Sequence, residues 1–187
     1  MKKLQILHFL KPDVRKLVLF SVLAFICVGG VIQTYAFLDD VPGIPKPPLY
    51  DVLRPLELWF PWIILTFPTH FLGRLLNVWW LLRYFPEISP GFKFPLASVV
   101  YAYILSCWTF HVWDEWLSGN PYRKLLIIAG IILAAIFNPP VTLLWASFSL
   151  DYLLIVISGF LFLSLIFTVY AISIYGLYKV ARSFTNK

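Results

Sequence analysis

The sequence predicts an all-α fold, a polytopic transmembrane bundle of about five membrane helices. Three observations carry that expectation: 60% of the 187 residues belong to the AVILMFWYC set, only 13% are charged, and the mean hydropathy is +0.82. Soluble domains hold about 45–50% apolar and about 25% charged residues. Half the usual charge is missing, which excludes an ordinary soluble globule, and disorder needs the opposite balance. At roughly 20 residues per helical span, residues 1–187 form one integral membrane domain with no room for a soluble one.

Lys2, Lys3, Lys11, Arg15 and Lys16 face only Asp13 over the first 16 residues, and that basic lead-in places the N-terminus in the cytoplasm. The uncharged run 17–38 is the first span. It exceeds the roughly 7–15 residues of a signal-peptide core, so it is expected to be retained. Residues 39–55 carry Pro42, Pro45, Pro47, Pro48 and Pro55, which forbid regular helix and favour stiff extended backbone. Their net negative charge suits an external loop.

The second span, 56–76, is interrupted by Pro61 and Pro68. Proline in a membrane helix frees carbonyls that need protein neighbours, so a kinked, packed helix is expected. Trp79, Trp80 and Tyr84 beside Arg74 and Arg83 then mark the cytoplasmic interface. The third span, 95–113, leaves through Trp113, Asp114, Glu115 and Trp116. The fourth, 123–145, is broken at Asn138-Pro139-Pro140, and the last, 152–178, runs into Lys179, Arg182 and Lys187.

Charge and count disagree here. Basic residues at both ends favour an even number of crossings, whereas five spans put the C-terminus outside. The alternative is four crossings plus one re-entrant segment, since the stretch from Leu125 to Phe137 rises only about 20 Å, short of the roughly 30 Å core. Five spans is the preferred count.

Ionisable groups in or beside spans are the default functional candidates: Glu57, His70, Arg74, His111, Asp114, Glu115 and Asp151. His111 shares a helical face with Asp114 and Glu115, three and four residues on. Such an imidazole–carboxylate group can hold a metal or pass protons. In the five-span order, span two descends and span three ascends, leaving His8 and His70 near the cytoplasm and His111 at the external end, level with Glu57. The catalytic candidates are therefore His111, Asp114, Glu115 and Glu57, as an external polar site. The plainer readings rank higher: a helix end among Trp108, Trp113 and Trp116, with Glu57 capping its own helix. No metal and no cofactor is expected, because a catalytic zinc needs three protein ligands.

Cys27 and Cys107 lie inside apolar runs and read as small hydrophobes. Gly29-Gly30 and Gly130 with Ala134 permit close helix approach. Phosphate-loop, dinucleotide, nucleophile-elbow and HExxH motifs are missing, and the net charge of +6 belongs to loops rather than to a nucleic-acid partner.

The segment HFLKP before the first span, and IFNPPVTLLW followed by an Asp-led final helix, resemble stretches of small uncharacterised prokaryotic multi-pass membrane proteins, over about a quarter of the chain. The resemblance implies a prokaryotic inner membrane and no particular activity. The expected function is thus non-enzymatic: a multi-pass protein of the cell membrane that binds the lipid bilayer, other membrane subunits or itself. The alternatives are a small-molecule transporter or channel-like protein using the helix breaks, above all Asn138, Pro139 and Pro140, and a membrane enzyme with the external His/carboxylate site.

Overall fold

A computed structural model describes residues 9–38, 49–75, 90–138 and 150–185. The described chain is all-helical, with no strand: α1 (Val14–Leu38), α2 (Tyr50–Leu53), α3 (Trp59–Leu75), α4 (Pro90–Trp116), α5 (Tyr122–Phe137) and α6 (Leu150–Thr185). Two stretches, Val14–Gln33 and Leu153–Thr185, are long and apolar enough to cross a membrane.

Each expected span has a helical counterpart with shifted ends. The third gains residues on both sides, and the last extends to Thr185 because its basic tail continues the helix. α3 runs through Pro61 and Pro68 as one helix. Pro61 stands in the first turn, where backbone N–H groups have no intrahelical acceptor anyway. The Thr66 and Thr69 hydroxyls turn back on the same helix, donating to the Trp62 and Thr66 carbonyls at 2.9 and 2.6 Å. α5 stops at Phe137: Asn138 is extended (φ −72°, ψ 109°), its N–H still bonded to the Ala134 carbonyl at 2.7 Å. Pro139, Pro140 and the rest of that expected span lie outside the described residues, as do 39–48 of the proline-rich segment, His8, and the interfacial Trp79, Trp80, Arg83 and Tyr84. The side chains of His70, Arg74 and Asp151 are likewise not described.

The described residues gather into two compact units. The first draws on Met1–Phe20, Tyr103–Ser147 and Phe160–Lys187. Its core is Val112, Leu117 and Ile172, with Trp108, Trp113, Trp116, Leu126 and Tyr175 packed around them. α5 lies against α6 at Gly130, which with Ala134 is one of its two buried residues. A Cβ at Gly130 would stand 2.7 Å from the Thr168 nitrogen and 2.8 Å from its Cα, so only glycine admits this approach of backbones. Phe137 meets Phe167 at 5.4 Å, and Tyr122 meets Tyr175 at 6.5 Å, which fixes the two helices as antiparallel. Against α4, the Trp108 indole N–H donates to the Ser173 carbonyl at 3.3 Å, and Gly176 admits the Trp108 ring and Val112.

The second unit draws on Ser21–Ala102 and Phe148–Gly159. Here Gly30 faces Trp62, and a Cβ on it would sit 2.8 Å from the Leu58 carbonyl oxygen. The turn after α2 hangs on one amide: Gln33 Nε2 donates to the Leu53 and Leu56 carbonyls at 2.8 and 2.6 Å, while its Oε1 accepts the Leu58 N–H at 3.0 Å. The neighbouring Glu57 N–H donates to the Ser158 hydroxyl at 3.0 Å. Cys27 and Cys107 are both buried and free, Cys27 in this unit and Cys107 in the other.

Candidate functional site

The first unit assembles its polar group at the end of α4. One turn brings His111 and Glu115 together, Nδ1 to Oε1 at 3.2 Å, as helical i,i+4 spacing dictates. Aromatic rings wall the imidazole: Trp108 and Trp116 from α4 at 5.8 and 5.6 Å, and Phe9 from the N-terminal segment, edge-on, at 5.7 Å. The His111 side chain is 29% exposed and Glu115 is 58% exposed, so the pair sits at a surface.

Asp114 is engaged differently. Arg15, in the first turn of α1, grips it with both guanidinium arms, Nη1 to Oδ1 at 3.1 Å and Nη2 to Oδ2 at 3.0 Å. The same guanidinium reaches Asp13 at 3.2 Å and lies 5.3 Å from the Phe110 ring centre. Bidentate arginine–carboxylate pairs carry geometric specificity beyond their energy, and this one ties the α1 start to the α4 end across 99 positions. Desolvation pulls the Asp13 carboxyl up, but the Arg15 backbone N–H and guanidinium outweigh it, holding the group below its ordinary 3.8. The N-terminal segment is further tied by the Tyr103 hydroxyl, which donates to the Leu10 carbonyl at 2.7 Å.

This arrangement overturns one expectation. The ascending-span order set His111 on the face opposite the N-terminal segment, yet Phe9 touches His111 and Arg15 holds Asp114. Phe20 also meets Tyr103 at 5.4 Å, so α1 and α4 run antiparallel in this unit. The external placement followed from the span order alone, which carries no information about the distant Arg15 partner of Asp114.

The structure therefore pairs His111 with Glu115, turns Asp114 to Arg15 in the same unit, and places Glu57 in the second unit, where its Oε1 accepts the Phe60 N–H at 3.2 Å at the start of α3. Chemically, the Glu115 carboxylate orients the imidazole through Nδ1. A metal finds less: among the described residues no three His, Cys, Asp or Glu side chains converge. Asn138 marks the α5 end and the edge of the described chain.

Sequence reasoning passed over Gln33 and the joint role of Arg15 and Phe9. Gln33 had a signal, as the sole carboxamide in the uncharged run 17–38, because an amide in an apolar helix must find partners. The Arg15–Asp114 pairing had none in local spacing. No family model, curated protein or solved structure matches the chain.

Proposed function

We propose that the chain is a multi-pass protein of the cell membrane, N-terminus cytoplasmic, that acts by binding lipid or membrane partners rather than by catalysis. The observation that carries this reading is the outward apolar surface of its helices. Only 28% of the most apolar window of either candidate span is buried, and Val18, Leu161, Ile174 and Leu177 are each 60% exposed or more. A soluble monomer rarely leaves contiguous apolar patches beyond a few hundred Å². Lipid is the solvent in which such a surface is stable.

In this reading α1, α3, α4, α5 and α6 are the five membrane helices. The helix directions in the first unit favour four crossings, by α1, α4, α5 and α6, with α5 as a full crossing rather than the re-entrant segment and α3 left as the membrane helix that does not cross. There α4 runs antiparallel to α1, and α5 antiparallel to α6. The Trp108–Ser173 and Val112–Gly176 contacts align α6 with α4. The start of α1 and the end of α6 then share one membrane face. Lys11, Arg15, Lys16, Arg123, Lys124, Lys179 and Arg182 cluster in that unit, which makes the face cytoplasmic. Alkaline carbonate washing of isolated membranes tests the reading: the chain stays in the pellet and needs detergent for release. Recovery in the alkaline supernatant would contradict it.

A further inference from the structure

The chain ahead of α1 folds back over α4 on polar ties and the Phe9 ring. The Tyr103 hydroxyl donates to the Leu10 carbonyl at 2.7 Å. The Lys16 ammonium, in the first turn of α1, donates to the Phe9 and Lys11 carbonyls at 3.0 and 3.2 Å. Phe9 itself rests edge-on against the His111 imidazole at 5.7 Å. Residues 11–13 belong to no helix, and Leu10, Lys11 and Pro12 are exposed. A segment with little buried apolar surface and solvent-exposed hydrogen bonds opens at low free energy.

The base of the segment is held more firmly. The Asp13 carbonyl accepts the Leu17 N–H at 2.9 Å in the opening turn of α1, and Arg15 fastens that turn to Asp114 with hydrogen bonds of 3.1 and 3.0 Å. Pro12 stands directly before this base with its φ fixed by the ring, which leaves the Lys11 torsions and the Pro12 ψ as the pivot. Beneath the segment, the other rings on the imidazole, Trp108 and Trp116, belong to α4 and stay when the segment lifts. Lifting therefore strips Phe9 from His111 and leaves the His111–Glu115 bond in place.

We propose that Phe9–Lys11 is a lid over the His111–Glu115 pair, hinged at Pro12 and latched by the Tyr103 hydroxyl and the Lys16 ammonium. Closed, it keeps the imidazole against three rings with 29% of the side chain exposed. Open, it offers a histidine already oriented by a carboxylate to whatever approaches from the side of the N-terminal segment. The helices need not move, since the Arg15–Asp114 grip stays outside the swinging part. The lid does not depend on the membrane reading above, because every contact it uses lies within the first unit.

The test uses full-length detergent-solubilised protein with two readouts. Nitroxide labels on cysteines at Lys11 and Ile132, in the Cys27→Ser, Cys107→Ser background, give the distribution of separations by double electron–electron resonance. Reaction of His111 with diethyl pyrocarbonate, followed by peptide mass spectrometry, gives the access to the imidazole. Two separations are expected, the longer one minor. Tyr103→Phe keeps the ring and deletes the hydroxyl latch, so the ratio of open to closed and the His111 reaction rate should both rise about 2- to 12-fold, the factor that one hydrogen bond gives to an equilibrium. Lys16→Met removes the other latch and should act in the same direction, which keeps the test decisive if Tyr103→Phe does not fold. A single separation common to the parent and the variants would overturn the proposal. A growing long separation at unchanged His111 reactivity would overturn it too, because the segment would then move without uncovering the imidazole.

Discussion

Replacing Gln33 with Leu keeps the side-chain bulk and removes three hydrogen bonds at once. The Leu58 N–H loses its acceptor, and the Leu56 carbonyl loses a 2.6 Å donor. The Leu53 carbonyl is cushioned, because the Leu56 N–H still donates to it at 3.0 Å. At about 0.5–1.5 kcal/mol net for each bond, three bonds amount to about 1.5–4.5 kcal/mol; the retained Leu56 bond and partial wetting of the turn bring the expectation to about 2–3 kcal/mol. For a chain of this size, about 2–4 °C of midpoint shift accompanies each kcal/mol, so the Leu variant should unfold about 4–12 °C earlier. Circular dichroism at 222 nm on detergent-solubilised protein reads that shift. Gln33→Glu sharpens the comparison, since it retains the Oε1 acceptor but aims a second oxygen at two carbonyls, and it should be at least as damaging as Leu. A Leu variant melting within a degree of the parent would refute the idea that this amide holds the 53–58 turn.

Gly130→Val forces a branched side chain onto the Thr168 backbone; overpacking costs about 1–3 kcal/mol, and contact with main chain puts the value near about 3, visible as a lowered melting midpoint, whereas an unchanged midpoint would mean α5 and α6 are not in close approach. Cysteines at Phe9 and His111, in a Cys27→Ser, Cys107→Ser background, should crosslink through a short bismaleimide; Asp114→Arg should suppress the yield by repelling Arg15, and adding Arg15→Asp should restore it, while insensitivity to Asp114→Arg contradicts the grip. The Asp13 carboxyl gives a pH prediction: its value is lowered on folding, so its contribution is complete above about pH 4 and is lost as pH falls through the lower folded value. Hydrogen exchange at the Arg15 amide, which donates to Asp13 Oδ1 at 3.4 Å, should quicken only below about pH 4 after correction for intrinsic rates, and Asp13→Asn should flatten the change.

Helix existence was legible because apolar runs of about 20 residues leave little alternative. Helix ends were less so: the expected third span began at 95 and ended at 113, but α4 spans Pro90–Trp116, since Asp114 and Glu115 find partners that hydropathy does not see. The small residues Gly29-Gly30, Gly130 and Ala134 were legible as contact points, and the structure supplies the surfaces they meet, Trp62 and Leu58 for Gly30 and Thr168 for Gly130. The His111–Glu115 pair was readable from spacing alone. Its aromatic wall was half readable, Trp108 and Trp116 lying on the same helix, while Phe9 arrives from a segment about a hundred positions away. Long-range partnership is what local periodicity cannot encode, and it sets the α4 end beside Phe9 and the start of α1.

The most direct measurement is therefore a labelling map in intact cells, with single cysteines at Lys46, Ser118 and Ser183 in the Cys27→Ser, Cys107→Ser background and a membrane-impermeant thiol reagent. The account predicts label at 46 from outside, and label at 118 and 183 only after permeabilisation, because the proposed orientation puts the α4–α5 turn and the α6 end on the cytoplasmic face with the start of α1. Label at 118 from outside in intact cells would contradict it, returning His111 to the external face and breaking the link between the N-terminal segment and the α4 end.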